Sequence, residues 1–204
     1  RRVAVLFDDI TQRKQAEQTL RDSQQAQAFL LHVSDALRPL ADPEAIRQTA
    51  AAVLGRHLGA NRVAYAEDGG EGETFVVYRN YVDDAPDLSG RYRYADYGDA
   101  LLSDLRAGRN VVQPDVQHDP RLDESRREAF RQVGIGASMN VPLVKNGRLV
   151  AFIGVNYNAP HAFTAAEIRL VEMVAERTWS AVEHARAAAA VRDSEARLAA
   201  AFES

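Results

Sequence analysis

The sequence contains no cysteine among its 204 residues. Disulfides, thiol catalysis and metal sites with cysteine ligands are therefore excluded together. It also lacks any run approaching about 18 uninterrupted apolar residues, which a membrane-spanning helix requires, and it shows no signal-peptide pattern. These absences lead us to expect a cytoplasmic protein with no membrane partner.

An excess of charge of one sign is also missing. The chain has 25 basic and 29 acidic residues, a formal net charge of −4, and no block of lysine or arginine. Because a basic stripe is the usual footprint of nucleic-acid binding, no nucleic-acid partner is expected.

Motifs of catalysis are missing as well. The sequence has no Gly-x-Ser-x-Gly elbow, no P-loop and no carboxylate pair in a suggestive setting. A metal site needs several convergent ligands, whereas the histidines are scattered over the chain, at His32, His57, His118, His161 and His184. We therefore expect neither a metal site nor an enzymatic activity in this chain.

One short helix-start motif is present twice. The chain reads Arg21-Asp22-Ser23-Gln24 near its start and Arg192-Asp193-Ser194-Glu195 near its end, 171 residues apart. This spacing is too long for a solenoid repeat and suits one intervening domain.

Both ends of the chain have the four-three spacing of helices that pair. A helix is predicted over residues 12–38, ended by Pro39, and another runs from the capping box Thr164–Glu167 to the end of the chain. A helix of about 35 residues is about 50 Å long, too long for one small domain to cover. We predict that a second copy covers both helices. The predicted seam residues are Ala16, Leu20, Leu30 and Leu37, then Val171, Ala175, Val182 and Ala189.

Short strands are predicted between these helices. The predicted elements are a helix from Asp42 to about Gly59, strands at 62–66, 75–82, 91–94 and 110–112, a helix ending at Gly108, a helix over 120–133, and a hairpin of strands 138–144 and 148–157. Asn146-Gly147 favours a two-residue turn in that hairpin. Counting outward pairs Leu143 with Val150, Val141 with Phe152 and Asn140 with Ile153. Both faces are apolar, so these strands should be central.

The stretch from Gly134 to Val150, with Ile153-Gly154-Val155-Asn156 and the Phe163–Glu167 helix start, resembles GAF domains. The resemblance covers residues 40–186. It implies an α+β fold with a central antiparallel sheet of about five or six strands, flanked by helices, with long N- and C-terminal signalling helices. The segment Ala175–Arg186 is similar to GAF domains of bacterial sensor histidine kinases of the HWE class.

The two ends resemble another family of sensor domains. Val3–Thr11 is similar to the last strand and ending of a PAS domain, and Arg197–Ser204 to the start of another. The resemblance divides the chain into the end of a PAS domain (1–11), a linker or signalling helix (12–39), a GAF domain (40–186), and a signalling helix leading into a following PAS domain (187–204). The chain is then an excised piece of a longer signalling protein.

The GAF resemblance implies a pocket that holds a cyclic nucleotide, a bilin, another small molecule or nothing. Ser138, Asn140 and Asn156 are candidate ligand contacts, and the alternative is that they satisfy nearby backbone groups. Tyr92, Tyr94 and Tyr97 are candidates for a lid, the alternative being edge-strand packing, and His118 lies in a loop near the pocket side. Covalent bilin attachment uses a cysteine, and the cyclic-nucleotide motif is not found. We therefore expect no cofactor and leave a reversible ligand unidentified.

The sequence thus predicts a non-catalytic regulatory module of a two-component signalling protein. Its flanking helices would dimerise and pass a signal from an upstream PAS domain towards a histidine kinase elsewhere in the same polypeptide. The mechanism is drawn with a parallel bundle, but the sequence leaves the choice between parallel and antiparallel helices open. Polar seam positions such as Ser23 and Thr178 would keep this bundle marginal. The alternatives are a receptor with a reversibly bound ligand and a structural spacer that only sets the phase of the two helices.

Overall fold

The structure is a computed structural model that describes residues 2–70, 72–97 and 99–202. Arg1 and residues 203–204, which belong to the predicted terminal segments, lie outside the described residues. The described helices are α1 (Arg2–Leu37), α2 (Pro43–Leu58), α3 (Asp99–Arg106), α4 (Glu124–Gln132) and α5 (Ala165–Phe202), with a 3₁₀ turn at Tyr94–Tyr97. The strands are β1 (Arg62–Asp68), β2 (Thr74–Val77), β3 (Tyr81–Val82), β4 (Gly90–Arg93), β5 (Val111–Gln113), β6 (Ala137–Lys145) and β7 (Arg148–Tyr157). None of the described helices is apolar enough over a sufficient length to cross a membrane.

Local signals in the sequence set the helix ends. The Asp42 side chain accepts hydrogen bonds from the backbone N–H groups of Glu44 and Ala45, and Gly59 closes α2 in the left-handed conformation. At the start of α5, Thr164 Oγ1 accepts from the Glu167 N–H and a Glu167 carboxylate oxygen accepts from the Thr164 N–H. The predicted capping box is therefore confirmed.

The strand predicted at the beginning of the chain is wrong. Helix α1 starts at Arg2 and is continuous to Leu37, so residues 3–11 are helical in this structure. A strand depends on a hydrogen-bonding neighbour, whereas a helix satisfies its backbone groups within the segment. Within the part of the chain that the structure describes, residues 3–11 have no neighbouring strand and are helical.

The strands form one antiparallel sheet with the order β4-β2-β1-β7-β6-β5, and the two-residue strand β3 also pairs with β1. The long hairpin β6–β7 and strand β1 occupy its centre, so most of their side chains are buried on both faces. The predicted α+β architecture is confirmed.

The predicted register of the β6–β7 hairpin is wrong by one residue away from its turn. Asn146 and Gly147 both have positive φ, as the two-residue turn requires, and Val144 pairs with Leu149 as counted. A register shift between Leu143 and Val144 then makes Val150 the extra residue of a bulge. Leu143 therefore pairs with Ala151, and every later pair moves with it.

Helices α1, α2 and α5 cover one face of the sheet, and α3 lies on the other. The larger apolar core lies between the sheet and the three helices and contains Val33, Leu54, Val63, Met139, Val155, Val171 and Val174. A smaller cluster on the opposite face contains Ala66, Phe75, Val77, Tyr94, Leu105, Val111, Leu149 and Phe152. We call these the helix face and the site face of the sheet.

Most of the predicted dimer seam is buried inside the chain. Leu30, Leu37, Val171, Ala175 and Val182 all belong to the core on the helix face. Their four-three spacing therefore reflects packing within one chain and leaves them unavailable to a partner helix. The remaining seam residues, Ala16, Leu20 and Ala189, are exposed.

Helices α1 and α5 run in the same direction and leave the domain at opposite ends. Phe29 of α1 stacks on His57 in the last turn of α2, with 3.8 Å between ring centroids. At the other end of α2, Arg47 and the α5 residue Arg186 bind one carboxylate. Because α2 runs back along both helices, the N-terminal half of α1 extends past one end of the sheet and the C-terminal part of α5 past the other.

Candidate functional site

A row of buried polar residues crosses four neighbouring strands on the site face. Arg62 of β1 pairs with Asn156 of β7, Asn156 with Ser138 of β6, and Ser138 with Gln113 of β5. Residues directly opposite each other on neighbouring strands point to the same face, so the four side chains form a continuous line. The exposed fractions are 1% for Arg62, 9% for Asn156, 2% for Ser138 and 6% for Gln113. We call this line the polar row.

Ser138 is the hub of the row. Its Oγ accepts hydrogen bonds from Asn156 Nδ2 at 3.0 Å and from Asn140 Nδ2 at 3.3 Å. The three candidate ligand contacts predicted from the sequence are therefore brought together. In this structure their polar groups bind one another, as buried polar groups generally do.

Arg62 contributes a buried positive charge to the same row. Its Nε donates to the Pro86 carbonyl at 2.9 Å and its Nη2 to the Val133 carbonyl at 3.1 Å. Burial lowers the pKa of the Arg62 guanidinium, and the negative charge of Asp87 acts in the opposite direction. The guanidinium thus ties two connections, one after β3 and one before β6, to the start of β1.

Small residues lie beside the polar row. The next line across the sheet pairs Ala64 with Gly154 and Gly154 with Asn140. A Cβ at Gly154 would lie 3.2 Å from Asn140 Oδ1, closer than ordinary van der Waals contact. Ala64 and Gly154 therefore place little side-chain volume on the site face beside the polar row, and the Asn140 side chain lies over Gly154.

The aromatic residues surround Phe75. Its ring lies 5.5 Å from Tyr92, 4.9 Å from Tyr94, 5.5 Å from Tyr97 and 5.2 Å from Phe152, between centroids. Tyr92 donates its hydroxyl to the Leu88 carbonyl and Tyr94 to Asp68. Burial raises the pKa of Tyr97 to about 12. The three tyrosines share the site face with Ser138, Asn140 and Asn156. Tyr92 binds the same connection as Arg62 and is close enough to act on the pKa of that guanidinium.

His118 is not part of this arrangement. Its side chain is exposed in the connection between β5 and α4, where Nδ1 lies 2.8 Å from an Asp115 carboxylate oxygen. The neighbouring Asp119 is buried, and its carboxylate accepts from Arg121, which holds the pKa of Asp119 below its usual value. Within the described ranges, no group of three or more histidine and carboxylate side chains is placed to hold a metal ion.

Two members of the polar row were not predicted from the sequence. Arg62 is the first residue of the predicted strand 62–66, where it looks like an exposed strand end, and Gln113 lies just after the predicted strand 110–112. Their role appears only when the register places them beside Asn156 and Ser138. One signal was available in the sequence. Ala64 and Ala66 follow Arg62 by two and four residues, so alternation along a strand places Arg62 on the same face as these small residues.

Replacing Ser138 with alanine should lower the free energy of unfolding by about 1–2 kcal/mol, because the Asn156 and Asn140 amides lose their shared acceptor. Urea denaturation measures the change. The exposed Ser103 of α3 supplies the control Ser103→Ala, for which we expect less than about 0.5 kcal/mol. Equal effects of the two substitutions would show that the hub adds nothing to stability.

Comparison with known proteins identifies the fold. The sequence model of the GAF domain matches residues 42–182. No curated protein matches the chain.

Several solved structures resemble it. A far-red absorbing dark-state structure with bound biliverdin has a TM-score of 0.67 at 17% identity, covering 78% of this chain and 99% of the other. The phycoerythrobilin-bound GAF domain of a cyanobacterial phytochrome has a TM-score of 0.67 at 15% identity, covering 79% and 96%. Free methionine-R-sulfoxide reductase of Neisseria meningitidis, in complex with its substrate, has a TM-score of 0.64 at 17% identity, covering 80% and 91%. At these identities the likeness establishes the fold.

The expectation that the chain has no cofactor is contradicted by these comparisons. Two of the similar structures carry a bilin, biliverdin in one and phycoerythrobilin in the other. The chain itself has no cysteine. The absence of cysteine excludes a thioether bond to a bilin. It does not exclude a bilin or another ligand that is held without that bond.

Proposed function

The chain belongs to the GAF domain family, whose model matches residues 42–182, and on this premise we propose that it is a non-catalytic sensory module. It passes a conformational signal between the site face of its sheet and the long helices α1 and α5. The observation that supports the proposal is a cluster of charged residues that joins the sheet to α5 where this helix leaves the domain.

Glu67 is the centre of that cluster. Its Oε1 accepts from Arg47 Nη1 of α2 at 3.1 Å, and its two oxygens accept from Arg186 Nη2 of α5 at 2.9 and 2.7 Å. The guanidinium of Arg47 lies 3.7 Å from the centroid of the Tyr78 ring. The side chains of Glu67 and Arg47 are 13% and 6% exposed, so the ion pair is largely removed from water. We call this group the Glu67 cluster.

Strand β1 links the cluster to the polar row. Arg62 and Ala64 point to the site face, and Glu67, an odd number of residues further along, points to the helix face. A displacement of β1 at the polar row therefore moves the carboxylate that holds Arg186. This is a direct mechanical route from the site face to the exit of α5, and the packed sheet leaves little room to absorb the motion elsewhere.

We further propose that the chain works as a dimer within a longer polypeptide, between PAS domains and upstream of a histidine kinase. The two copies of the Arg-Asp-Ser motif support this arrangement, because each lies on an exposed part of a long helix, one on α1 and one on α5. Exposed Leu20, Leu31, Val191 and Leu198 on the same helices support pairing with another chain.

The relay is tested by filling the site face and observing α5. Gly154→Val adds a side chain at the line of small residues, against Asn140. If the signal travels through β1 and Glu67, amide hydrogen exchange in residues 183–190 should change by about fivefold or more, which corresponds to about 1 kcal/mol in local opening. Mass spectrometry of exchanged peptides measures it.

Ser103→Ala on α3 is the matched control, since it alters an exposed residue away from β1. A second variant, Gly154→Val with Glu67→Gln, should lose part of the response because the carboxylate that transmits it is gone. Unchanged exchange in residues 183–190 of a folded Gly154→Val protein would contradict the relay.

A second candidate function is a receptor for a small molecule held without a covalent bond. The polar row and the adjacent small residues favour it, since they place a few polar groups beside Ala64 and Gly154, whose small side chains occupy little of the site face. Native mass spectrometry of the chain purified from its expression host tests this candidate. Excess mass that is lost in Gly154→Val supports a receptor, and a chain at its sequence mass contradicts a tightly retained ligand.

A further inference from the structure

The face of α5 that is free to meet another chain differs from the predicted seam. Residues with heptad spacing on this face are Arg177, Ala181, His184, Ala188, Val191, Glu195 and Leu198. Ala181 and Ala188 are partly buried and the other five are exposed. Val191 and Leu198, one heptad apart on this face, are each 57% exposed. We call this stripe the outer seam.

A groove runs beside the outer seam. It has a volume of about 600 Å³ and lies between the end of α1, the connection to α2, and α5. Its lining residues are Ser34, Leu37, Arg38, Leu40, Ala41, Arg177, Ser180, Ala181, His184, Ala185, Ala188 and Arg192. Six of these twelve residues are apolar, and the lining also contains three arginines, one histidine and no carboxylate. An occupant with apolar side chains and a carboxylate would complement it.

We propose that the groove receives the exit segment of α5, residues 188–198, from a second copy of this chain, and that the two α5 helices cross antiparallel between Ala188 and Val191. This rests on the proposed dimer and specifies its geometry. The segment supplies what the groove lacks, since it carries exposed Val191 and Leu198 together with the carboxylate of Glu195. Its Asp193 is paired with Arg197 of the same helix at 2.6 Å, so Asp193 adds no negative charge to the groove. Reciprocal exchange buries the same surface on both copies, as a two-fold interface requires.

The antiparallel register pairs small residues with large ones. A crossing centred between Ala188 and Val191 places Ala188 opposite Val191 of the second copy and Ala181 opposite Leu198 of the second copy. The alanines leave space at the positions that the larger side chains fill. Each pair occurs twice in the dimer, so four apolar layers are formed from residues that are otherwise exposed or half-buried.

Charge also favours this register. The same crossing places His184 opposite Glu195 of the second copy, twice. In a parallel seam each residue would face the same residue of the second copy. Arg177 would then face Arg177, His184 would face His184, and Glu195 would face Glu195. Like charges in facing positions are destabilising, whereas a carboxylate beside an imidazole is neutral or favourable.

The exit segment gains no packing within its own chain. Residues 189–198 continue α5 beyond the domain core and are exposed. In proteins most helical stability comes from tertiary packing of one face. The second copy supplies the packing that this part of α5 lacks within its own chain.

Cysteine cross-linking tests the geometry without interference, because the chain has no cysteine of its own. One chain carries Ala181→Cys and a differently tagged chain carries Leu198→Cys. Oxidation of the mixture should give a cross-linked pair of unlike chains, since a disulfide needs Cα atoms within about 7 Å. Leu198→Cys alone should not cross-link, because its two copies lie about 25 Å apart along the antiparallel helices. Ala190→Cys, outside the outer seam, is the control.

The possible results separate the inference from the proposed dimer. Rapid cross-linking of Leu198→Cys with itself would show a parallel seam, overturning the inference but keeping the dimer. A monomer in sedimentation, with no cross-link in any mixture, would overturn both. As a second measurement, Glu195→Arg should weaken the dimer about tenfold, because two facing pairs are changed at once, and His184→Glu in the same chain should restore it.

Discussion

Glu67→Ala should lower the free energy of unfolding by about 3–5 kcal/mol, the usual cost of removing one partner from a buried ion pair. The substitution leaves Arg47, whose side chain is 6% exposed, without a carboxylate, and it also removes the acceptor of Arg186 and Tyr78. The Arg47 Nε is already buried with no hydrogen-bond partner, so few groups remain to compensate. Urea denaturation followed by circular dichroism gives the value.

Glu183→Ala provides the comparison for this experiment. Glu183 binds the same Arg186 at 3.0 Å but is 47% exposed, so its removal should cost less than about 1 kcal/mol. A loss of similar size in both variants would mean that the buried position of Glu67 has no special effect. Hydrogen exchange adds a local readout, since α5 should open more easily around residue 186 in Glu67→Ala only.

Gly136→Ala should lower the free energy of unfolding by about 2–3 kcal/mol through steric overlap. A Cβ at this position would lie 2.5 Å from the Asn158 carbonyl oxygen and 2.7 Å from backbone atoms of Ala159. These are backbone atoms and cannot rotate away. Gly136 also donates to the Tyr157 carbonyl and accepts from the Val116 N–H, so a shift disturbs the end of the β6–β7 hairpin. Thermal and urea denaturation measure the loss.

Gly134→Ala, two residues earlier, separates overlap from backbone strain. Gly134 has a φ of +68° and no atom within 4 Å of its Cβ position, so only the left-handed conformation is penalised, at about 1 kcal/mol. The prediction for Gly136 fails if Gly136→Ala is no more destabilising than Gly134→Ala.

The secondary structure could be predicted wherever local chemistry determines it. Asp42, Gly59 and the Thr164–Glu167 box mark helix ends through contacts within a few residues. The register of the hairpin was lost at Val150, because a bulge depends on how two strands twist against their neighbours and has no signal in the residues beside it.

The helix seam could not be predicted from spacing alone. Val171, Ala175 and Val182 have the pattern of a coiled coil, yet they face the sheet and α2 of their own chain. A heptad pattern states that a helix has an apolar side, and it does not identify what covers that side. The outer seam, with its arginine, histidine and glutamate, is too polar to stand out in a sequence.

The candidate site was predicted in part for a similar reason. Ser138 and Asn140 are two residues apart on one strand, so their shared face follows from the sequence. The addition of Arg62 and Gln113 depends on the pairing of strands that are up to 94 residues distant, as Arg62 and Asn156 are. Only the folded sheet brings that row together.

Helices α1 and α5 leave the domain at opposite ends, so the chain enters at one end and continues from the other. The rotational angle between the two ends is fixed by the helices. A helix turns about 100° and rises about 1.5 Å with each residue, so the angle between whatever precedes α1 and whatever follows α5 is set by counting residues. Lengthening either helix by seven residues returns a neighbour to nearly the same side, whereas one or two residues turn it away. In the proposed arrangement, with further modules on both sides of the domain, whole heptads can therefore be added to or removed from α1 or α5 while those modules keep nearly the same orientation.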